Sequence, residues 1–192
     1  AEFLHLTGFL RACEDVATFL GKVFKKSGFI DEMLSGIERL PALRKRIIRS
    51  INTEGYLEDS ASYELSRIRA ELFMSRERLK KHLERIMVRE AMRPIIQDDY
   101  ISIRNNRYVI PLKPNFNEAI QGIVHDYSHS LKTSFVEPVE CVELNNSINV
   151  LVNEEQEEEK NILKELTEFA RGFRDVMAMN VQCLGELDFF QA

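Results

Sequence analysis

The sequence predicts a mainly α protein in which a long antiparallel pair of helices carries a small antiparallel β tip and stands on a helical base. Only 8 glycines and 5 prolines interrupt its 192 residues, which favours long helices over a many-turned β fold. Two segments carry apolar residues at near-heptad spacing, and the segment between them changes to the alternation typical of strands. We expect three domains: a helical core with the first long helix at 1–93, the β tip at 94–138, and the returning helix with a core helix at 139–192.

Two shorter helices precede the first long one and supply the base. Apolar residues recur at helical spacing from Leu4 to about Lys26, where serine and glycine end the pattern. A second helix is expected from Gly36 to Ile51, with its proline confined to the first turn and its basic cluster near the C-terminal end. A turn at residues 52–55 then leads to the long helix.

The first long helix is expected to begin at residues 58–60, which suit a helix N-terminus, and to end at Arg93, because a proline follows. Its apolar positions form a narrow stripe that favours packing against a partner helix. The flanks of this stripe are strongly basic. The stripe consists of Leu65, Ile68, Leu72, Leu79, Leu83 and Ile86.

The partner helix is expected to begin after Pro138 and to return antiparallel over a similar length, about 50 Å at 1.5 Å per residue. The formal net charge is +5 for residues 36–93 and -8 for residues 139–192, against -5 for the whole chain. Such asymmetry predicts either a nucleic-acid surface or two helices that attract each other, and we favour the second. The acidic run 154–159 is interpreted as a solvated face opposite the basic helix.

The segment between the long helices is expected to form an antiparallel sheet. A hairpin over residues 100–111 turns at Asn105 and Asn106, since asparagine tolerates the left-handed backbone that a two-residue turn requires. Further strands are expected at 121–125 and 134–137. The turn also sets the hairpin register, which pairs Ile101 with Ile110 and Ile103 with Tyr108.

The same register places Arg104 directly opposite Arg107, and this pair is our first candidate site. Two like charges opposed across a hairpin are destabilising unless an anion or a carboxylate lies between them. The sequence leaves two interpretations open, a phosphate contact or neutralisation by a nearby acid. Lys113 and Lys132 belong to the same segment and extend the candidate DNA-binding surface. The acids that could neutralise the pair are Asp98, Asp99 and Asp126.

Other chemistries are not indicated by the sequence. His125, Asp126 and His129 are spaced like ligands of a metal site, but we interpret them as polar residues at the end of a strand and expect no metal. Three scattered cysteines indicate neither a disulfide framework nor a zinc site, which suits a reducing compartment. No apolar run is long enough to span a bilayer. The P-loop pattern is absent, so we expect neither a cofactor nor a catalytic residue in this chain.

Motifs of the β segment resemble those of the MutS family of DNA-repair ATPases. The hairpin motif is the run from Arg104 to Lys113, and it is followed by Gly122 to Ser128 and by Phe135 to Pro138. Residues 143–146 and 154–158 continue the resemblance into the returning helix, and residues 59–69 resemble the entry to the family's long helix. The branch that the chain resembles most is the bacterial MutS paralogue without a mismatch-recognition domain.

The resemblance implies that the helical pair is a lever and the β tip a clamp in the core and lever region of a cytoplasmic, nucleoid-associated bacterial protein. The implied function is non-catalytic: binding of mismatched, branched or recombination-type DNA, or of stalled ribosomes, coupled to a dimeric ATPase that uses ATP and Mg²⁺. The chain begins at alanine, and we expect it to be a piece of that longer, homodimeric protein.

The family usually has a small glycine-containing loop after the position of Ser128, whereas this chain has residues 129–134 without glycine, which puts the loop's usual backbone conformation in doubt.

The alternative function is a helical protein–protein interaction module with no nucleic-acid role, motivated by the oppositely charged helices.

Overall fold

The computed structural model describes residues 2–23, 36–114 and 120–189. These residues form five α-helices and a four-stranded antiparallel sheet. The end of the expected first helix, residues 24–26, lies outside the described residues. The helices are α1 Glu2–Val23, α2 Pro41–Ser50, α3 Tyr63–Met87, α4 Val142–Arg171 and α5 Arg174–Phe189; the strands are β1 Ser102–Arg104, β2 Arg107–Leu112, β3 Gly122–Tyr127 and β4 Ser134–Pro138.

The chain divides into two compact units. The sheet unit consists of residues 67–157, and the helical unit of the described residues within 1–66 and 158–192. Both boundaries fall inside helices, one in α3 and the other in α4.

The helical unit is built on the contacts of α1, α2 and α5 with the ends of the two longer helices. Leu10, Leu43 and Ile47 lie in one buried cluster, and Leu65 and Leu166 in another. The expected turn is present. The side chain of Asn52 accepts hydrogen bonds from two backbone N–H groups within it, and Gly55 adopts φ 93°, a conformation that glycine takes without a steric penalty.

The sheet has strand order β1-β2-β4-β3, and all neighbouring strands are antiparallel. The predicted hairpin register is confirmed where the two strands pair: Ile103 lies opposite Tyr108, and Arg104 lies opposite Arg107. The turn residues Asn105 and Asn106 adopt φ 51° and 61°, as a two-residue turn of this kind requires.

The predicted fold class, a mainly α lever pair with a small β tip, is wrong. Helix accounts for 64% and strand for 14% of the described residues, so the fold class is mixed α/β. Leu79 and Leu83 of the heptad stripe do not serve a helix pair alone, since they share one buried cluster with Ile110 and Val136 of the sheet. Apolar residues at heptad spacing pack equally well on a sheet, and the spacing alone does not name the partner.

Helix α3 is also shorter than predicted, because it ends at Met87 and not at Arg93. Residues 88–96 form successive turns held by short-range backbone hydrogen bonds. These turns bury Met92 and Ile95 in the same cluster as the sheet. The burial of these two side chains therefore ends the helix six residues before the position that the following proline had suggested.

Candidate nucleic-acid interface

The opposed arginines of the hairpin each contact a carboxylate of the same unit. Arg104 Nε lies 3.1 Å from Asp126 Oδ2, one of the three acids that the sequence offered. The Arg104 guanidinium also lies over the ring of Phe135, 4.0 Å from its centroid, which adds a cation–π contact. Arg107 Nη1 lies 3.5 Å from Glu137 Oε1, a partner that the sequence did not indicate. The two like charges are thus separated by carboxylates of β3 and β4.

Glu137 is a buried carboxylate, with its side chain 1% exposed, and it has three partners. The side-chain amide of Asn145 donates to Oε1 over 2.7 Å, and His125 Nε2 lies 2.6 Å from Oε2. Arg107 is the third. Asn145 also holds the backbone of Tyr108, accepting from its N–H over 2.9 Å and donating to its carbonyl over 3.1 Å. Burial of a charge is tolerated only when it is paired and hydrogen-bonded in this way.

A β-bulge brings the hairpin turn onto strand β3. The pairing of β3 with β4 shifts between Val124 and Asp126, which leaves the residue between them out of the regular ladder. That residue is His125, and its carbonyl accepts a hydrogen bond from the Asn105 side-chain amide over 3.0 Å. The turn that presents Arg104 is therefore fixed to the opposite edge of the sheet.

Two residues of this region that are spaced like metal ligands contact other side chains. His125 contacts Glu137, and Asp126 contacts Arg104, so two of the three suggested ligands are engaged elsewhere. Within residues 2–23, 36–114 and 120–189, no group of three or more histidine, cysteine, aspartate or glutamate residues could hold a metal ion.

The two candidate lysines lie at the other end of strand β2. Leu112 pairs with Ser134. Lys113 and Lys132 lie one and two residues beyond this pair, at the end of the strands away from the hairpin turn. Lys113 Nζ donates to the carbonyl of Pro94 over 2.8 Å. Lys132 is exposed in the loop between β3 and β4. The structure thus brings the two arginines together but separates them from the lysines.

A second basic surface lies on helix α3 and was not among the predicted site residues. Arg78, Lys81 and Arg85 are exposed at spacings of three and four residues, which places them on one helix face. None of the three makes an ion pair with an acid in the part of the chain that the structure describes. We call these three residues the basic stripe. The sequence showed that the flanks of this helix are basic, but it could not show which cations remain unpaired.

The acidic run of α4 has contacts of its own within each unit. In the sheet unit Arg69 Nε donates to Glu155 Oε1 over 2.8 Å, and both side chains are about one-quarter exposed. In the helical unit the Ser62 hydroxyl donates to Glu158 Oε1 over 2.6 Å. Part of the acidic run is therefore bonded to α3 and its N-terminus, and is not simply a solvated face.

Comparison with known proteins relates this chain to longer proteins. None of the family models matches the chain. Endonuclease MutS2 of Acetivibrio thermocellus is 34% identical over 194 residues, which cover 100% of this chain and 24% of the relative. Endonuclease MutS2 of Pelotomaculum thermopropionicum is 33% identical over 191 residues, with the same coverage. Endonuclease MutS2 of Staphylococcus aureus is 34% identical over 167 residues, or 87% of this chain and 23% of its own length. The chain is related to the MutS family.

This relation confirms that the motifs of the β segment resemble those of the MutS family. The MutS relatives are about four times longer than the part that this chain matches, since the chain spans 24% of the first two. Among the described residues, no helix has the length and the apolar character needed to cross a membrane.

Proposed function

We propose that this chain is a DNA-binding part of a MutS-type DNA-repair or recombination protein, with no catalytic centre of its own. The whole protein is proposed to be a homodimer that binds ATP and Mg²⁺ outside this chain and whose nucleotide state is coupled to DNA engagement. The relation to MutS2 proteins over the full length of the chain supports the DNA partner.

The observation that carries the DNA assignment is the basic stripe. Surface cations that lack a carboxylate partner are available to neutralise phosphates, and the release of counterions from DNA then drives binding. Arg78, Lys81 and Arg85 are available in this sense and lie on one helix face in the same unit as the sheet, whereas each candidate in the hairpin already contacts a carboxylate. We propose that the stripe makes the main phosphate contacts.

The hairpin arginines have a different role in this proposal. Arg104 and its partner Asp126 are both partly exposed, with 37% and 47% of their side chains accessible, so a phosphate can replace the carboxylate without opening a buried site. Arg107 is bonded to a carboxylate that is 1% exposed, and it is proposed to hold the sheet together. Lys132 is exposed beside the sheet and adds a further phosphate contact.

The experiment compares two triple variants of the full-length protein, each of which removes three positive charges. The test variant changes Arg78, Lys81 and Arg85 to glutamine, which has similar helix propensity. The control changes Arg39, Lys45 and Arg49, which are exposed in the helical unit, to glutamine. Binding to branched DNA is followed by fluorescence anisotropy at fixed salt. We expect the test variant to bind at least about tenfold more weakly than the control, and equal affinities would refute the stripe.

A second candidate function is a protein–protein interaction module. Met74 and Val88 continue the spacing of the basic stripe at either end and are 62% and 65% exposed, as the seam of a docking helix would require. Sedimentation of the protein with and without branched DNA separates the two candidates. Self-association without any shift on addition of DNA would favour the interaction module.

A further inference from the structure

The loop between strands β3 and β4 contains the least expected backbone conformation of the sheet unit. Leu131 adopts φ 55°, a left-handed conformation that costs an L-residue with a large side chain about 1–2 kcal/mol. Only glycine occupies this region freely, and asparagine or aspartate with moderate ease. The loop therefore keeps a glycine-like backbone although residues 129–134 contain no glycine.

Packing of the Leu131 side chain does not compensate for this cost, because the side chain is not buried. The residue is 69% exposed, compared with 39% for Leu163. Glycine or asparagine at this position would serve the fold better. An exposed apolar side chain on a strained backbone points to a contact with another molecule.

Hydrogen bonds hold the strained loop in place. The N–H of Leu131 donates to the carbonyl of Ser128 over 2.8 Å, and the N–H of Ser128 donates to the carbonyl of Thr133 over 2.8 Å. The N–H of Thr133 also donates to the Ser128 hydroxyl, over 3.0 Å. The loop is thus a closed turn that presents Leu131 outward in a fixed direction.

The charges beside Leu131 favour an anionic partner. Lys132 follows it directly and is exposed, and the loop itself contains no acidic residue. The nearest acid in sequence, Asp126, is engaged by Arg104. Proteins that deform nucleic acids commonly insert leucine between stacked bases while neighbouring cations hold the flanking phosphates. A pocket on another protein would accept the leucine but would not require a lysine next to it in a loop without acids.

We propose that Leu131 is a wedge that inserts between bases of DNA at a junction or other unstacked site. This inference rests on the proposed DNA-binding function, and it specifies the substrate as DNA whose bases are already partly unstacked. Separation of stacked bases costs a few kcal/mol, and the cost is lowest where pairing is interrupted. The wedge thereby favours branched DNA over plain duplex, while the basic stripe binds both alike.

The experiment uses the full-length protein with Leu131→Gly, which removes the wedge and relieves the backbone, and Leu131→Met, which keeps an apolar side chain of similar reach. The probe is a three-way DNA junction with 2-aminopurine at the branch, with a duplex of the same length as reference. We expect the wild-type and Met proteins to raise 2-aminopurine fluorescence at the branch. We expect the Gly protein to lose this rise and to bind the junction roughly tenfold more weakly, since it no longer buries the leucine side chain.

Two controls separate this proposal from its alternatives. Duplex affinity is expected to remain unchanged in the Gly protein, and its thermal stability is expected to equal or exceed that of wild type, so that weaker junction binding cannot result from unfolding. An unchanged junction-to-duplex ratio and an unchanged fluorescence rise in the Gly protein would overturn the wedge while leaving the proposed function standing. No DNA binding by the wild type would overturn both proposals.

Discussion

The side-chain amide of Asn145 donates to the carboxylate of Glu137 over 2.7 Å, and both side chains are buried. This contact joins the first turn of α4 to strand β4, and the same asparagine holds both backbone groups of Tyr108 on strand β2. One side chain therefore fixes the helix to two strands of the sheet.

Asn145→Ala is expected to lower the free energy of unfolding by about 2–4 kcal/mol, because it removes one of the three partners of the buried Glu137 carboxylate and the hydrogen-bond partner of both the N–H and the carbonyl of Tyr108. The neighbouring Asn146 is exposed, and Asn146→Ala is expected to change the same quantity by less than about 0.5 kcal/mol. Urea denaturation of the two variants measures the difference. Similar midpoints for both would show that the Asn145 network contributes little.

Gly122→Ala is expected to destabilise the sheet. A Cβ atom at this position would lie 2.7 Å from the carbonyl oxygen of Glu137 and 2.7 Å from Val136 Cγ1, and the backbone oxygen cannot move without breaking the pairing of β3 with β4. We expect a loss of about 1–3 kcal/mol in thermal or chemical denaturation. Gly185→Ala is the matched control. Outside the helix's own backbone, no described atom lies within 4 Å of the place that a Cβ would occupy, and helix α5 should gain up to about 1 kcal/mol. A loss in both variants would contradict the steric explanation.

The ion pair of Glu140 with Arg89 is expected to make stability depend on pH in the acid range. Arg89 Nη1 and Nη2 each donate to one oxygen of the Glu140 carboxylate over 2.8 Å, and these hydrogen bonds lower the pKa of Glu140 to about 2, with a smaller contribution from His82. A lowered pKa stabilises the fold above the unfolded-state value of about 4.3, and this stabilisation is lost as the pH falls towards 2.

The measurement for this pair is the free energy of unfolding of wild type and Glu140→Gln between pH 7 and pH 2. We expect wild type to be slightly more stable at neutral pH and the two to converge at the acid end. The difference should be small and should decrease with salt, because both side chains are about half exposed. A difference that does not change with pH would exclude the ion pair as its cause.

The hairpin shows how much of the site could be predicted from sequence. Two consecutive asparagines fix a two-residue turn, and the turn fixes which residues face each other, so the opposition of Arg104 and Arg107 followed from local geometry. Their partners did not follow. Glu137 would ordinarily be assigned to the surface, and its burial depends on Asn145, eight residues further along on a helix. Contacts across elements are not encoded in local spacing.

The predicted fold class was wrong for a related reason. Residues such as Leu79 and Leu83 predict a buried helix face correctly, and both are fully buried. The sequence pattern does not distinguish a partner helix from a sheet that covers the same face, and here the sheet contributes to the covering. The basic stripe could not be predicted from the sequence either. Ion pairing with neighbours decides which cations remain available, and this pairing is a property of the folded surface.

The salt dependence of DNA binding tests the central claim most directly. The slope of log affinity against log salt concentration reports the number of phosphates that the protein neutralises, at about 0.9 per contact with duplex DNA. We predict that replacing Arg78, Lys81 and Arg85 by glutamine in the full-length protein reduces the slope by about 3, and that the matched change of Arg39, Lys45 and Arg49 leaves it unchanged. A slope that is the same in both variants and in wild type would contradict the assignment of the main phosphate contacts to the basic stripe.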